Sequence, residues 1–83
     1  METISEKIKR IQAEVCSYYG VSLTQLLSQG RTKTLAQARQ ELYLRLRSET
    51  KMSVTEIGTL CNRHHSTILY GVKRARERGD PGS

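Results

Sequence analysis

The 83-residue sequence contains no Phe, no Trp and only four Tyr. Its core must therefore be aliphatic, and the aromatic platforms on which unpaired bases stack are missing, which disfavours single strands and RNA as partners. Only two cysteines occur, Cys16 and Cys61. They lie far apart in a sequence without an export signal, so reduced, mostly structural thiols are expected rather than a disulfide. No apolar run approaches the roughly 18 residues needed to cross a bilayer, and the N-terminus has no hydrophobic leader, which predicts a cytoplasmic, nucleoid-associated protein without a membrane partner. A chain this short also buries too little surface to hold both a large core and an enclosed active-site cleft. A binding module is the expectation, and an enzyme is not.

What the sequence does have is positive charge. Fourteen Lys and Arg oppose eight Asp and Glu, a formal net charge of +6, which suits a polyanionic partner. The excess is local. Residues 1–30 balance Lys7, Lys9 and Arg10 against Glu2, Glu6 and Glu14, and every surplus cation follows Gly30.

The apolar pattern is helical throughout, predicting an all-α fold of about five helices. Ile4, Ile8, Ile11 and Val15 form one stripe of a first helix ending near Tyr18-Tyr19-Gly20, where the tyrosine pair reads as half-buried packing. Ser22 is suited to cap a short helix bearing Leu23, Leu26 and Leu27, which Gly30 stops before the polar connector Arg31-Thr32-Lys33. Thr34 is expected to cap a third helix with Leu35, Ala38, Leu42 and Leu46 inward. Ser53-Val54-Thr55-Glu56 has capping-box spacing, opening a fourth helix with Val54, Ile57 and Leu60 or Cys61 on its apolar side. Asn62-Arg63-His64 is a tight turn into a fifth helix with Ile68, Leu69, Val72 and Ala75 inward. Two short helices so joined predict a helix-turn-helix over about 53–78, within one domain spanning 1–78. Residues 79–83 cannot extend a helix and predict a disordered tail.

On the fifth helix, Ser66, Thr67, Tyr70 and Arg74 fall opposite the apolar side, with His65 at the N-terminal end. Short polar groups at such an end suit base edges in a major groove; an ordinary solvated face with a Ser-Thr cap is the plainer reading. On the third helix Arg39, Gln40, Tyr43 and Arg47 share one band, while Glu41 and Arg45 are spaced as an i,i+4 ion pair on the other flank. Arg39 and Arg47 have no acidic neighbour at that spacing, leaving charge for phosphates, and Arg31, Lys33 and Arg63 join them from connectors. Arg31 on a connector is also suited to a minor groove.

Other constellations are weaker. Cys61, His64 and His65 supply three ligands where structural zinc wants four, so no metal is expected. Cys with His lacks an orienting group and an oxyanion donor for nucleophilic catalysis. Gly30-Arg31-Thr32-Lys33-Thr34 lacks the preceding strand and glycine spacing of a phosphate loop, so neither nucleotide nor any other cofactor is expected.

Five blocks, Tyr18-Tyr19-Gly20-Val21, Leu26-Leu27-Ser28, Ala38-Arg39-Gln40, Ser53-Val54-Thr55-Glu56-Ile57-Gly58 and His65-Ser66-Thr67-Ile68, resemble in order and spacing the C-terminal DNA-binding domain of the bacterial replication initiator DnaA. The likeness runs from about Ile8 to Glu77. It implies a Trp-repressor-like helical domain that binds a short asymmetric DnaA box in double-stranded DNA as a monomer. By resemblance, His65, Ser66 and Thr67 read the major groove and Arg31 enters the minor groove. Arg39 and Gln40 contact DNA from the third helix, Arg47 meets phosphate, and Val54 and Thr55 present backbone to phosphate. His64 departs from the family's usual Asp, removing an acceptor that caps the helix or touches a base, and the turn after Gly58 is one residue short. Both departures bear on the preferred sequence. A full initiator also carries an ATPase module without counterpart in these residues, so the sequence reads as an excised C-terminal domain or as a DnaA-like reader on another, transposase-like protein. The alternative from a different class is a basic helical protein-interaction module.

Overall fold

The computed structural model describes residues 1–79, which form five helices and no strand. In order these are α1 (Ile4–Tyr19), α2 (Leu23–Leu26), α3 (Lys33–Glu49), α4 (Val54–Cys61) and α5 (His65–Arg78). The all-α expectation is met. Of the 79–83 tail, Gly79 closes α5 in the left-handed region and the remainder lies outside the described residues.

Reciprocal capping starts three helices. Thr3 with Glu6, Ser22 with Gln25 and Ser53 with Glu56 each satisfy two backbone donors that the helix start would leave unpaired. The Ser53 backbone N–H, and then its hydroxyl, holds the Glu56 carboxyl below its ordinary range. A depressed carboxyl stabilises the fold above its unfolded pKa, and that contribution is lost as the pH falls through the folded value. The third helix starts two residues earlier than expected: Thr32, not Thr34, accepts the Leu35 N–H at 3.1 Å. Two threonine hydroxyls so close offer equivalent caps in sequence, and this choice puts Lys33 inside the helix.

Helix α3 packs against all four others, with α4 and α5 also packed together. Its buried Ala38, Leu42 and Leu46 meet Ile11 and Val15 of α1, Leu26 of α2, Ile57 and Cys61 of α4, and Ile68, Val72 and Ala75 of α5 in one cluster. Burial along α1 deepens from exposed Ile4 through half-buried Ile8 to fully buried Ile11 and Val15. Because α2 is a single turn, Leu26 reaches the core while Leu23 and the capping Leu27 remain exposed; the helix closes at Leu27 rather than Gly30. The tyrosine pair divides: Tyr18 is exposed, and half-buried Tyr19 meets its ring edge-on and donates to Glu41 Oε1 at 3.3 Å.

That bond explains why the expected Glu41–Arg45 pair does not form. Glu41 turns into the interior, and Arg45 instead joins Glu49 at 2.6 Å and Glu14 of α1 at 2.7 Å. The Glu49 carboxylate first, and Glu14 after it, hold the Arg45 guanidinium above its ordinary range.

Two further positions exchange sides. Tyr43 is buried and Leu69 is 58% exposed, the reverse of the sequence pattern. Gly71 is the cause. A Cβ there would lie 2.7 Å from Tyr43 Cδ2, so the missing side chain lets α3 and α5 approach with the Tyr43 ring between them. The buried side of α5 accordingly becomes Ile68, Gly71, Val72 and Ala75, leaving Leu69 in solvent.

Candidate nucleic-acid interface

The turn between α4 and α5 positions the candidate reading helix. Asn62 closes α4 in the left-handed region at φ 56°, and the Arg63 N–H returns to the Gly58 carbonyl at 2.8 Å. A Cβ on Gly58 would stand 2.6 Å from the Arg63 carbonyl oxygen. Only glycine lets the chain double back so closely, and the tightness places His65 at the first turn of α5.

His64 caps that helix. Its Nδ1 accepts the Ser66 N–H at 3.1 Å, which requires this nitrogen to be unprotonated. The expectation that replacing Asp with His removes the capping acceptor is therefore corrected, since imidazole supplies one in the same place. The His64 and His65 rings lie 4.2 Å apart. His64→Ala should cost about 1 kcal/mol of stability while His64→Asp retains it. Urea midpoints of the two variants check this, and an unchanged midpoint for the alanine variant would contradict the cap.

The side chains flanking this helix start form an exposed face. Arg31, Lys33, Arg47, Thr55, His64, His65, Ser66, Thr67, Tyr70 and Arg74 are all exposed, and Arg39, Gln40, Val54 and Arg63 are half-buried. An open cleft of about 320 Å³ brings the connector's Arg31, Gln40 and Arg39 of α3, Arg63 of the turn, and Thr67 and Tyr70 of α5 around one hollow. Lys33, Arg47, Val54, Thr55, His64, His65, Ser66 and Arg74 lie outside it.

Several of these groups have local partners. Arg47 Nη1 donates to the Met52 carbonyl at 3.1 Å, Arg74 pairs with Glu77 at 3.7 Å, and Gln40 Oε1 accepts from Arg78 Nη1. Arg39 differs most from expectation. Its guanidinium donates to the carbonyls of Gln25, Leu26, Ser28 and Gly30, so most of its donors are turned to the backbone rather than to solvent. Carbonyls bring no countercharge, and the positive charge remains. Burial, and secondly the nearby Arg63 charge, hold Arg39 below its ordinary range. The α2–α3 connector as an acceptor was not visible in the sequence, because its ligands are backbone atoms.

Among the described residues no group of three or more His, Cys, Asp or Glu side chains could hold a metal, and no helix is long and apolar enough to cross a membrane. Burial pushes the Cys61 thiol up to about 11, which leaves little thiolate at neutral pH.

A model of the bacterial dnaA protein helix-turn-helix matches residues 8–75. The chain belongs to this DnaA helix-turn-helix family. The chromosomal replication initiator protein DnaA of Buchnera aphidicola is 38% identical over 71 residues, covering 84% of this chain and 16% of that protein. The protein of the same name from Thermoanaerobacter sp. strain X514 is 34% identical over 67 residues, covering 81% and 15% respectively, as is that of Caldanaerobacter subterraneus. The chain thus spans about one-sixth of these relatives' length. No solved structure matches closely enough to add to this. Family membership makes this a DNA-binding helix-turn-helix domain, in a family whose C-terminal domain binds double-stranded DNA.

Proposed function

We propose that residues 1–78 act as one unit that recognises a short, asymmetric double-stranded site of the DnaA-box kind, with α5 in the major groove and Arg31 in the adjoining minor groove. The observation that carries this reading is the placement of Arg31 and Thr67 on the rim of one cleft. An arginine on a connector and a helix N-terminus are thereby presented to adjacent grooves of one duplex. His65, Ser66 and Thr67 offer short polar groups to base edges, with Tyr70 and Arg74 further along the exposed side. His64, as the cap, fixes where these three begin. Lys33, Arg47 and Arg63, with exposed Lys51 of the α3–α4 turn, meet phosphates, as do the Val54 and Thr55 backbone donors at the start of α4. Gln40 borders the cleft beside them. The half-buried Arg39 contributes charge rather than a contact. On this reading the domain acts as a monomer at a replication origin or a regulatory site in a bacterial cytoplasm; the relatives' name, chromosomal replication initiator, supports the first of these sites.

The test is a duplex titration at several salt concentrations. With roughly four to six phosphates neutralised, log affinity should fall against log salt with a slope of roughly −3.6 to −5.4, at about −0.9 per phosphate. A flat response would overturn the phosphate-binding face. Failure of duplex DNA to compete with an acidic protein would favour a protein-interaction module.

A further inference from the structure

The connector that carries Arg31 has little regular structure of its own. After the single turn of α2, the carbonyls of Leu26, Ser28 and Gly30 would lack helical partners, while that of Gln25 accepts the Ser28 N–H at 3.1 Å, and Arg39 of α3 donates to all four. Its Nε donates to Leu26 at 2.8 Å, Nη1 to Gly30 at 2.5 Å, and Nη2 to Ser28 at 2.6 Å and Gln25 at 3.2 Å. Arg63, thirty-five positions along the chain from Ser28, donates its Nη2 to the same Ser28 carbonyl at 2.6 Å. The Ser28 hydroxyl completes the arrangement, donating to the Gln25 carbonyl at 2.7 Å and accepting the Gly30 N–H at 3.1 Å. One carbonyl oxygen thus receives two guanidinium groups, one from the central helix and one from the turn two residues ahead of His65. Two cations converge there without an anion between them, an arrangement that favours shape over charge compensation. Only the fork of a guanidinium reaches several carbonyls at once, which a lysine ammonium on its flexible stem does not reproduce.

We infer that Arg39 and Arg63 are positioning residues which, by meeting on the Ser28 carbonyl, lock the Arg31 connector to the start of α5 and so set the distance between minor-groove and major-groove reading. The lock is a property of the free domain. Its consequence for the grooves rests on the DNA reading proposed above.

The experiment has two arms. In the free domain, backbone order parameters of Ser28 to Arg31 should match rigid backbone, about 0.85, and fall toward about 0.6 in Arg39→Lys, which keeps the charge and loses the fork. Unchanged order parameters in a folded Arg39→Lys would overturn the lock. If that variant does not fold, Arg63→Lys takes its place in the same measurement: the Ser28 order parameter should fall by less, because Arg39 still holds that carbonyl, and no fall at all would overturn the lock. In the second arm, Arg31→Ala should weaken binding to an A/T-flanked duplex about tenfold in the otherwise unmodified domain. In the Arg39→Lys background the same change should cost less than about twofold, because the arginine is no longer held in place. Losses that multiply independently, with Arg31→Ala still costing about tenfold in the Arg39→Lys background, would overturn the inference. Absence of any duplex binding by the unmodified domain would overturn the DNA reading and the groove coupling with it, while the order parameters would still decide the lock.

Discussion

Thr67→Ala should lower affinity for the preferred duplex by about 1–3 kcal/mol, roughly five- to 150-fold, and leave random duplex little changed, because base contacts carry the sequence information. Thr67 is exposed on the first turn of α5 and borders the cleft that holds Arg31, so its truncation removes a reading group without opening the core. Arg47→Ala should behave differently. Its exposed side chain lies outside that cleft, and its loss should weaken preferred and random duplexes alike while making the salt slope shallower by about one unit. Arg47 also donates to the Met52 carbonyl in the α3–α4 turn, so circular dichroism must first establish that both variants are folded. Binding isotherms on the two duplexes then separate specificity from affinity. An equal loss on both from Thr67→Ala would remove α5 as the reader, and His65 and Ser66 with it.

The largest effect on the fold is expected from Gly58→Ala. The added Cβ would lie 2.6 Å from the Arg63 carbonyl oxygen, a backbone atom. It has no flexible end to swing away, so the turn itself must move. Overpacking of this kind costs about 1–3 kcal/mol, and in a domain of this size each kcal/mol lowers Tm by roughly 4–8 °C. Gly20→Ala is the informative comparison. Gly20 sits at φ +67° with open space around its Cβ position, so alanine there incurs the left-handed penalty of about 1–2 kcal/mol without touching the helix-turn-helix. Both variants should melt earlier. Gly58→Ala should in addition lose discrimination between preferred and random duplex at temperatures where it is still folded, since the displaced turn carries His64 and the start of α5. A Gly58→Ala domain that melts and discriminates like the unmodified one would contradict the assigned role of the turn.

Much of this architecture is legible in the sequence because helix signals are local. The Ser53–Glu56 capping box, the Ile11 and Val15 steps of α1 and the Asn62-Arg63-His64 turn need no knowledge of distant partners, and each is found where the pattern puts it. What escapes is decided between helices. A helical projection treats Gly71 as a blank, whereas in the folded chain that blank is where Tyr43 packs, and it turns Leu69 outward. Glu41 and Arg45 have the spacing of an ion pair, yet Tyr19 and Glu14 on α1 claim one each. Candidate site residues are proposed from type and sequence neighbourhood, and of these the fold gathers Arg31 and Thr67 around one cleft while His65 lies outside it. Arg39 is legible only as a cation. Its acceptors are four backbone carbonyls, identical in every residue, so no side-chain pattern announces them. His64 differs for a chemical reason: substituting imidazole for carboxylate changes the residue but preserves an acceptor at the helix start.

If the cleft and the start of α5 read sequence in duplex DNA, selection of bound duplexes from a random pool, carried out at moderate salt so that non-specific binding is suppressed, must converge. One short asymmetric sequence should be enriched, flanked on one side by A/T pairs, where a narrow minor groove attracts Arg31. Recovery of duplexes with no common sequence would mean a basic surface that binds phosphate without reading bases, and would overturn α5 as a reader.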